Sequence, residues 1–215
     1  MKNTALLLID MQNEAGFNIQ GMDIALNNAA HVLEACRQSK IPVLYSRHTH
    51  RPDGLDASIG EPLPEKGSIA YCLGTEAVEI SAKVRPQPGE PIIDKHRWSS
   101  FYATELDLLL RNLKIESLII GGFVTDGCVL NTVYDAFFRN YRVILVKDMM
   151  TASNRIAHAY SIINMANWVY NITIMRADQA VKMVRAEHYH AWHWQKPDQF
   201  HPEPQEIMEI YASLE

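Results

Sequence analysis

Leu118-Ile119-Ile120-Gly121-Gly122-Phe123-Val124-Thr125-Asp126-Gly127-Cys128 is the stretch on which the fold turns. Its apolar start is continuous rather than alternating, the pattern of a strand covered on both faces. Two glycines end the run and let the backbone turn sharply. Asp126 or Thr125 can cap the helical pattern that runs on from about Asp126 to Asn140. The same unit recurs on either side. Ala5-Leu6-Leu7-Leu8-Ile9 precedes a helical pattern through Ile24, Leu26, Ala29, Val32, Leu33 and Cys36, which stops before a second strand, 41–46. Pro91-Ile92-Ile93-Asp94-Lys95 leads to an amphipathic helix over 103–113; Arg142-Val143-Ile144-Leu145-Val146 leads to a helix over 153–168; Ile172-Thr173-Ile174-Met175 is the sixth strand. Each parallel crossover needs a helix to return the chain, so the spacing predicts a three-layer αβα, Rossmann-like domain with a six-stranded parallel sheet.

Two regions break the alternation. Residues 51–90 carry Pro at 52, 62, 64, 86 and 88 and Gly at 54, 60, 67, 74 and 89. A long excursion of little regular structure is expected there, with one short helix near 75–80, and such loops serve sites or interfaces. From 186 the chain turns rich in His, Trp and Tyr and ends in a short helical pattern, 206–214. We divide the chain into a domain, 1–185, and an aromatic extension, 186–215, expected to pack on the domain or on a neighbouring subunit of a homo-oligomer.

The composition limits the partners. The 215 residues are 47% hydrophobic and 21% charged, with a net charge of −5 and no basic block, which argues against nucleic acid and membrane surfaces and for a small molecule. The opening apolar run is too short for a signal peptide or a membrane span, and three scattered cysteines make no disulfide framework, so a cytoplasmic location is expected.

In open parallel sheets chemistry gathers at the carboxyl edge of the strands. Asp10 follows the first strand, Lys95 closes the third, and Cys128 lies just past the fourth. Taken singly, each has a plain structural role: a turn former, a solvated cation, a small buried apolar residue. Together they make chemical sense. A free thiol, with a pKa of about 8.5, is only slightly ionised at neutral pH; a helix start and an ammonium favour its anion, and a carboxylate can take and return its proton. Backbone N–H groups at the start of the helix could serve as an oxyanion hole, worth roughly 3–4 kcal/mol per donor.

These segments carry a resemblance. Asp10-Met11-Gln12-Asn13, Lys95-His96-Arg97-Trp98-Ser99-Ser100-Phe101 and Gly122-Phe123-Val124-Thr125-Asp126-Gly127-Cys128-Val129, in that order and spacing, resemble the isochorismatase-like cysteine hydrolase family over about residues 4–184. The resemblance implies that fold, an Asp10-Lys95-Cys128 triad, a cis peptide before Val124, and an oxyanion hole built from the N–H groups of Val124 and Cys128. Ether-cleaving members lack the cysteine, so Cys128 implies an amidohydrolase: attack on a carboxamide or ureido carbonyl, release of ammonia or an amine, and hydrolysis of a thioester. The alternatives are a metal-assisted nicotinamidase and a non-catalytic binding protein that retains the fold.

Around this core, Gln12 and Asn13 are expected to orient the Asp10 loop, and Phe17, Trp98, Phe101 and Tyr102 to wall the substrate pocket, Trp98 by stacking on a planar amide. Arg47 or Arg97 is a candidate for a substrate carboxylate. Nicotinamidases resemble one another in an Asp-x-His metal pair after the second strand; here His48 and His50 stand there, and no third histidine follows before His96. No cofactor is therefore expected, with His48 and His50 as the candidates should zinc or another divalent metal bind.

Overall fold

The computed structural model of the chain describes residues 1–65 and 67–214. Strands β1 (Thr4–Ile9), β2 (Val43–His48), β3 (Ile92–Lys95), β4 (Ser117–Phe123), β5 (Arg142–Thr151), β6 (Thr173–Met175) and β7 (Trp192–His193) form one sheet in the order β3-β2-β1-β4-β5-β6-β7. The first six are parallel, as their patterns require, and β7 pairs antiparallel with β6. The helices are α1 (Met22–Gln38), α2 (Leu106–Asn112), α3 (Leu130–Phe138), α4 (Arg155–Trp168), α5 (Ala177–Val184) and α6 (Ile207–Ser213).

β1 explains the three layers. Every residue of it is buried, and successive side chains point to opposite faces. Ala5, Leu7 and Ile9 join the core beneath α2, α3, α4 and α6, whereas Leu6 and Leu8 join the core beneath α1 and α5. Burying one such leucine contributes about 1.5–3 kcal/mol.

The extension packs on the domain itself: beyond the six strands expected, it supplies a seventh, antiparallel one, and Trp192, Trp194, Phe200 and Tyr211 pack on the α4 core of the same chain. A helix absent from the sequence reading, α5, covers the α1 face with Ala177, Ala180, Met183 and Val184. The glycine pair lies inside β4 rather than in a turn. A Cβ on Gly122 would sit 2.2 Å from the Ile9 carbonyl oxygen, and one on Gly121 would sit 2.7 Å from Met149 Cβ, so these glycines permit close strand approach.

Residues 51–90 form the predicted excursion, with two short 3-10 turns, Glu76–Val78 and Ala82–Val84. Single bridges from Gln12 to Ile80 and from His50 to Cys72 hold it over the carboxyl edge of the sheet. The chain order reverses between β1 and β4, which opens a crevice at that edge. Among the described residues no helix is long and apolar enough to cross a membrane.

Candidate active site

Asp10, Lys95 and Cys128 meet at this crevice. Asp10 leaves β1 with φ +50°, a left-handed conformation that Asp tolerates better than most residues. Lys95, the last residue of β3, is 1% exposed. Its Nζ lies 2.6 Å from Asp10 Oδ2, donates to Cys128 Sγ at 3.3 Å and donates to the Arg97 carbonyl at 3.0 Å. Cys128 is partly buried, on a π-helical turn, Thr125–Val129, that runs into α3. A chain of hydroxyls supports Asp10 from behind: Ser100 Oγ donates to Ser46 Oγ, and Ser46 Oγ to Asp10 Oδ1, both at 2.9 Å. Thr132 accepts from the Ser100 N–H at 2.9 Å and donates to the Cys128 carbonyl at 2.7 Å, tying α3 to the same chain.

The electrostatics revise one expectation. Burial, then the Asp10 carboxylate, pushes the Cys128 thiol up to about 12, against the pull of Lys95. Burial opposes the Lys95 ammonium too, yet Asp10 and Cys128 outweigh it and hold the lysine above its ordinary value. Burial thus favours the neutral thiol over the thiolate that a helix start would favour, so a nucleophilic role for this sulfur requires loss of its proton in the course of attack.

The peptide between Phe123 and Val124 is cis. Neither Thr125 nor Asp126 caps the following turn through its side chain. The buried Thr125 hydroxyl instead lies 2.7 Å from His158 Nδ1.

A cleft of about 340 Å³ opens onto Cys128, lined by Asp10, Phe17, Ile19, His48, Tyr71 and Trp98 among others. Phe17 stacks on Tyr71 with ring centroids 5.6 Å apart. Tyr71, inside the excursion, carries no sequence signal. Phe101 does not wall this cleft: it is 4% exposed in the core, stacked on Tyr141 and capped by Arg139. Tyr102 lines a neighbouring cavity, which Trp98 shares and Arg97 borders. Arg97 donates to the carbonyls of Asp56 and His96, and Arg47 pairs with Asp94 and Glu79, so neither lines the cleft as a carboxylate receiver. Gln12 bridges the carbonyls of His48 and Val78 and accepts from the His48 N–H, while Asn13 donates to the Glu76 carbonyl. Both fasten the segment after Asp10 to the excursion.

His48 and His50 bring their Nε2 atoms within 2.9 Å, and Glu61 Oε1 lies 3.0 Å from His50 Nε2. The three potential ligand atoms all fall within 4.8 Å of one another. Burial, then Lys95, pushes His48 down to about 4, so its imidazole is neutral as a metal ligand requires. The donor set, two imidazoles and a carboxylate, therefore fits a divalent ion. Glu61 escapes the sequence reading because a search for a third histidine passes over a carboxylate. His96 sits apart, against the Thr49 carbonyl and Asp56.

Known proteins share this arrangement of chain. The isochorismatase domain model matches residues 4–179. Nicotinamidase 3 of Arabidopsis thaliana is 30% identical over 77% of this chain and 81% of its own. Ureidoacrylate amidohydrolase RutB of Azorhizobium caulinodans is 28% identical over 69% and 76%. A solved isochorismatase family protein from Desulfovibrio vulgaris superimposes with a TM-score of 0.74 at 30% identity, over 86% of this chain and 99% of that one. With the domain matched over most of its length and these relatives beside it, the chain belongs to the isochorismatase family.

Proposed function

We propose that the protein hydrolyses the C–N bond of a small, uncharged amide or ureido compound, with Cys128 as nucleophile. One observation carries the reading: a buried ammonium stands between a carboxylate at 2.6 Å and a sulfur at 3.3 Å, and the sulfur faces a cleft. The amidohydrolase names of the relatives support the reaction class.

The sulfur attacks the carbonyl carbon as its proton passes to Asp10, and the carbonyl pair becomes an oxyanion received by the N–H groups of Val124 and Cys128. Collapse breaks the C–N bond, and the leaving nitrogen takes the proton from Asp10. Water then gives a proton to Asp10 and its oxygen to the thioester carbon; the C–S bond breaks, the sulfur takes the proton back from Asp10, and the acid leaves. Lys95, 2.6 Å from Asp10 and 3.3 Å from the sulfur, compensates the charge that develops between them. Among the described residues lining the cleft there are three carboxylates, Asp10, Glu61 and Asp126, and no Arg or Lys, which favours an uncharged substrate over an acid.

The test is ammonia release from nicotinamide, ureidoacrylate and N-carbamoylsarcosine, each with the Cys128→Ala variant as control. Turnover of a neutral amide that vanishes in the variant is the expected result. Turnover that survives the substitution overturns the nucleophile. No turnover, with a Cys128 that resists iodoacetamide, leaves a binding protein on this fold.

The His48, His50 and Glu61 cluster favours a second reading, metal assistance. A divalent ion held there would supply a Lewis acid facing the same cleft. Unchanged turnover after exhaustive chelation, with no zinc detected by mass spectrometry, would dispose of it.

A further inference from the structure

We infer that the C-terminal helix takes part in the reaction: Tyr211, acting through His158, is a positioning residue that holds Thr125 and with it the turn bearing Val124 and Cys128. The inference rests on the function proposed above.

Thr125 directly follows Val124 and precedes Cys128 by three residues, and it is fully buried. Its Oγ1 lies 2.7 Å from Nδ1 of His158 on α4, and His158 Nε2 lies 2.8 Å from the hydroxyl of Tyr211 on α6. The histidine and tyrosine rings meet edge to face at 5.2 Å. Tyr211 is itself anchored: Lys147 Nζ sits 4.6 Å from its ring centroid and donates to its carbonyl at 2.9 Å. Ile207 and Leu214, at either end of this helix, are buried in the α4 core.

A neutral imidazole offers one donor and one acceptor, so it needs a partner on each nitrogen. Burial, then the Lys147 charge, pushes His158 down to about 4 and keeps it in that form. A hydroxyl at each end satisfies either tautomer. The two hydrogen bonds thus run from a helix beyond the matched domain, which ends at 179, to the residue between the two proposed oxyanion donors. A group displaced by about 1 Å from its reacting geometry costs on the order of a hundredfold in rate, so the turn is where a distant anchor acts on chemistry rather than on stability alone.

The experiment uses two probes on the full chain, neither of which requires the natural substrate. p-Nitrophenyl acetate acylates the sulfur through an oxyanion: the S–C bond forms, the ester C–O bond breaks, and p-nitrophenolate leaves. Iodoacetamide alkylates the sulfur without one. Tyr211→Phe keeps the ring and deletes one hydroxyl. It is expected to slow the p-nitrophenolate burst by about tenfold, part of what loss of a whole donor costs, and to leave alkylation within about twofold. Thr125→Val should slow the burst in the same way, and the double variant should be no slower than Thr125→Val alone.

An unchanged burst in Tyr211→Phe overturns the inference. So does a fall in both probe rates together, with a lower melting temperature, since general loosening predicts that pattern. Additive losses in the double variant overturn it as well. A wild-type chain with no burst removed by Cys128→Ala overturns the cysteine mechanism itself.

Discussion

Lys95 and Lys147 are both sealed from solvent, 1% and 2% exposed, yet they serve opposite ends. Lys95 closes a strand at the crevice, and its ammonium meets a carboxylate and a sulfur that face a cleft. Lys147 lies within β5, and its ammonium meets the carbonyl and ring of Tyr211 beneath the terminal helix. A buried cation must be matched by oxygen, sulfur or a π face, or it destabilises the fold. What separates the two lysines is therefore not their burial but the cleft that the partners of one of them face.

The sharpest way to break this comparison is Lys95→Met. Turnover of the best amide should fall at least about a thousandfold, since the proposed triad would act as a unit, and the Asp10 carboxylate left behind should cost roughly 3–5 kcal/mol of stability; steady-state kinetics and chemical denaturation measure both. Lys147→Met should lose stability and leave the sulfur's reactivity alone. A loss of about 2–4 kcal/mol is expected on denaturation, while iodoacetamide still alkylates Cys128 at close to the wild-type rate.

A third experiment sharpens the comparison with pH. His158, pushed down to about 4 beside Lys147, stays neutral in the folded chain while its unfolded counterpart titrates near 6.5. Between those values the unfolded state binds the additional proton, so stability falls as pH drops from about 6.5 towards 4, by on the order of 1 kcal/mol per pH unit from this group. Melting curves across that window should show the fall, and His158→Gln should flatten it. The smallest effect belongs to a half-buried cation at the sheet's carboxyl edge. Arg47, paired with Asp94 at the surface, should on replacement by Ala shift stability by less than about 1 kcal/mol and KM by less than about twofold.

The sequence exposes the six parallel strands because each is built on a short apolar run between helical patterns, and it exposes Asp10, Lys95 and Cys128 because strand ends converge whatever lies between them. Other features have no local signature. β7 is two residues long, and its partner β6 lies some twenty positions upstream, so only tertiary pairing defines it. α5 does carry Ala177, Ala180, Met183 and Val184 at helical spacing, a signal hidden behind the end of the sheet pattern. Glu61 and Tyr71 reach the cleft from an irregular excursion, where no periodicity predicts direction. Phe101 and Trp98 stand three apart in one motif, yet one packs in the core and the other at the cleft. Spacing cannot separate those two fates, because the segment between them is bends and turns, with no fixed side-chain period.

The Ser100–Ser46 hydroxyl pair has a consequence for the carboxylate it supports. Each hydroxyl carries a single hydrogen, and that of Ser46 is committed to Asp10 Oδ1, so the two oxygens of the group are chemically unequal. Oδ1 is a fixed anchor, whereas Oδ2 faces the Lys95 ammonium at 2.6 Å. In the proposed reaction Oδ2 is thus the oxygen left to take the proton, and it would give it up again without any rotation of the side chain.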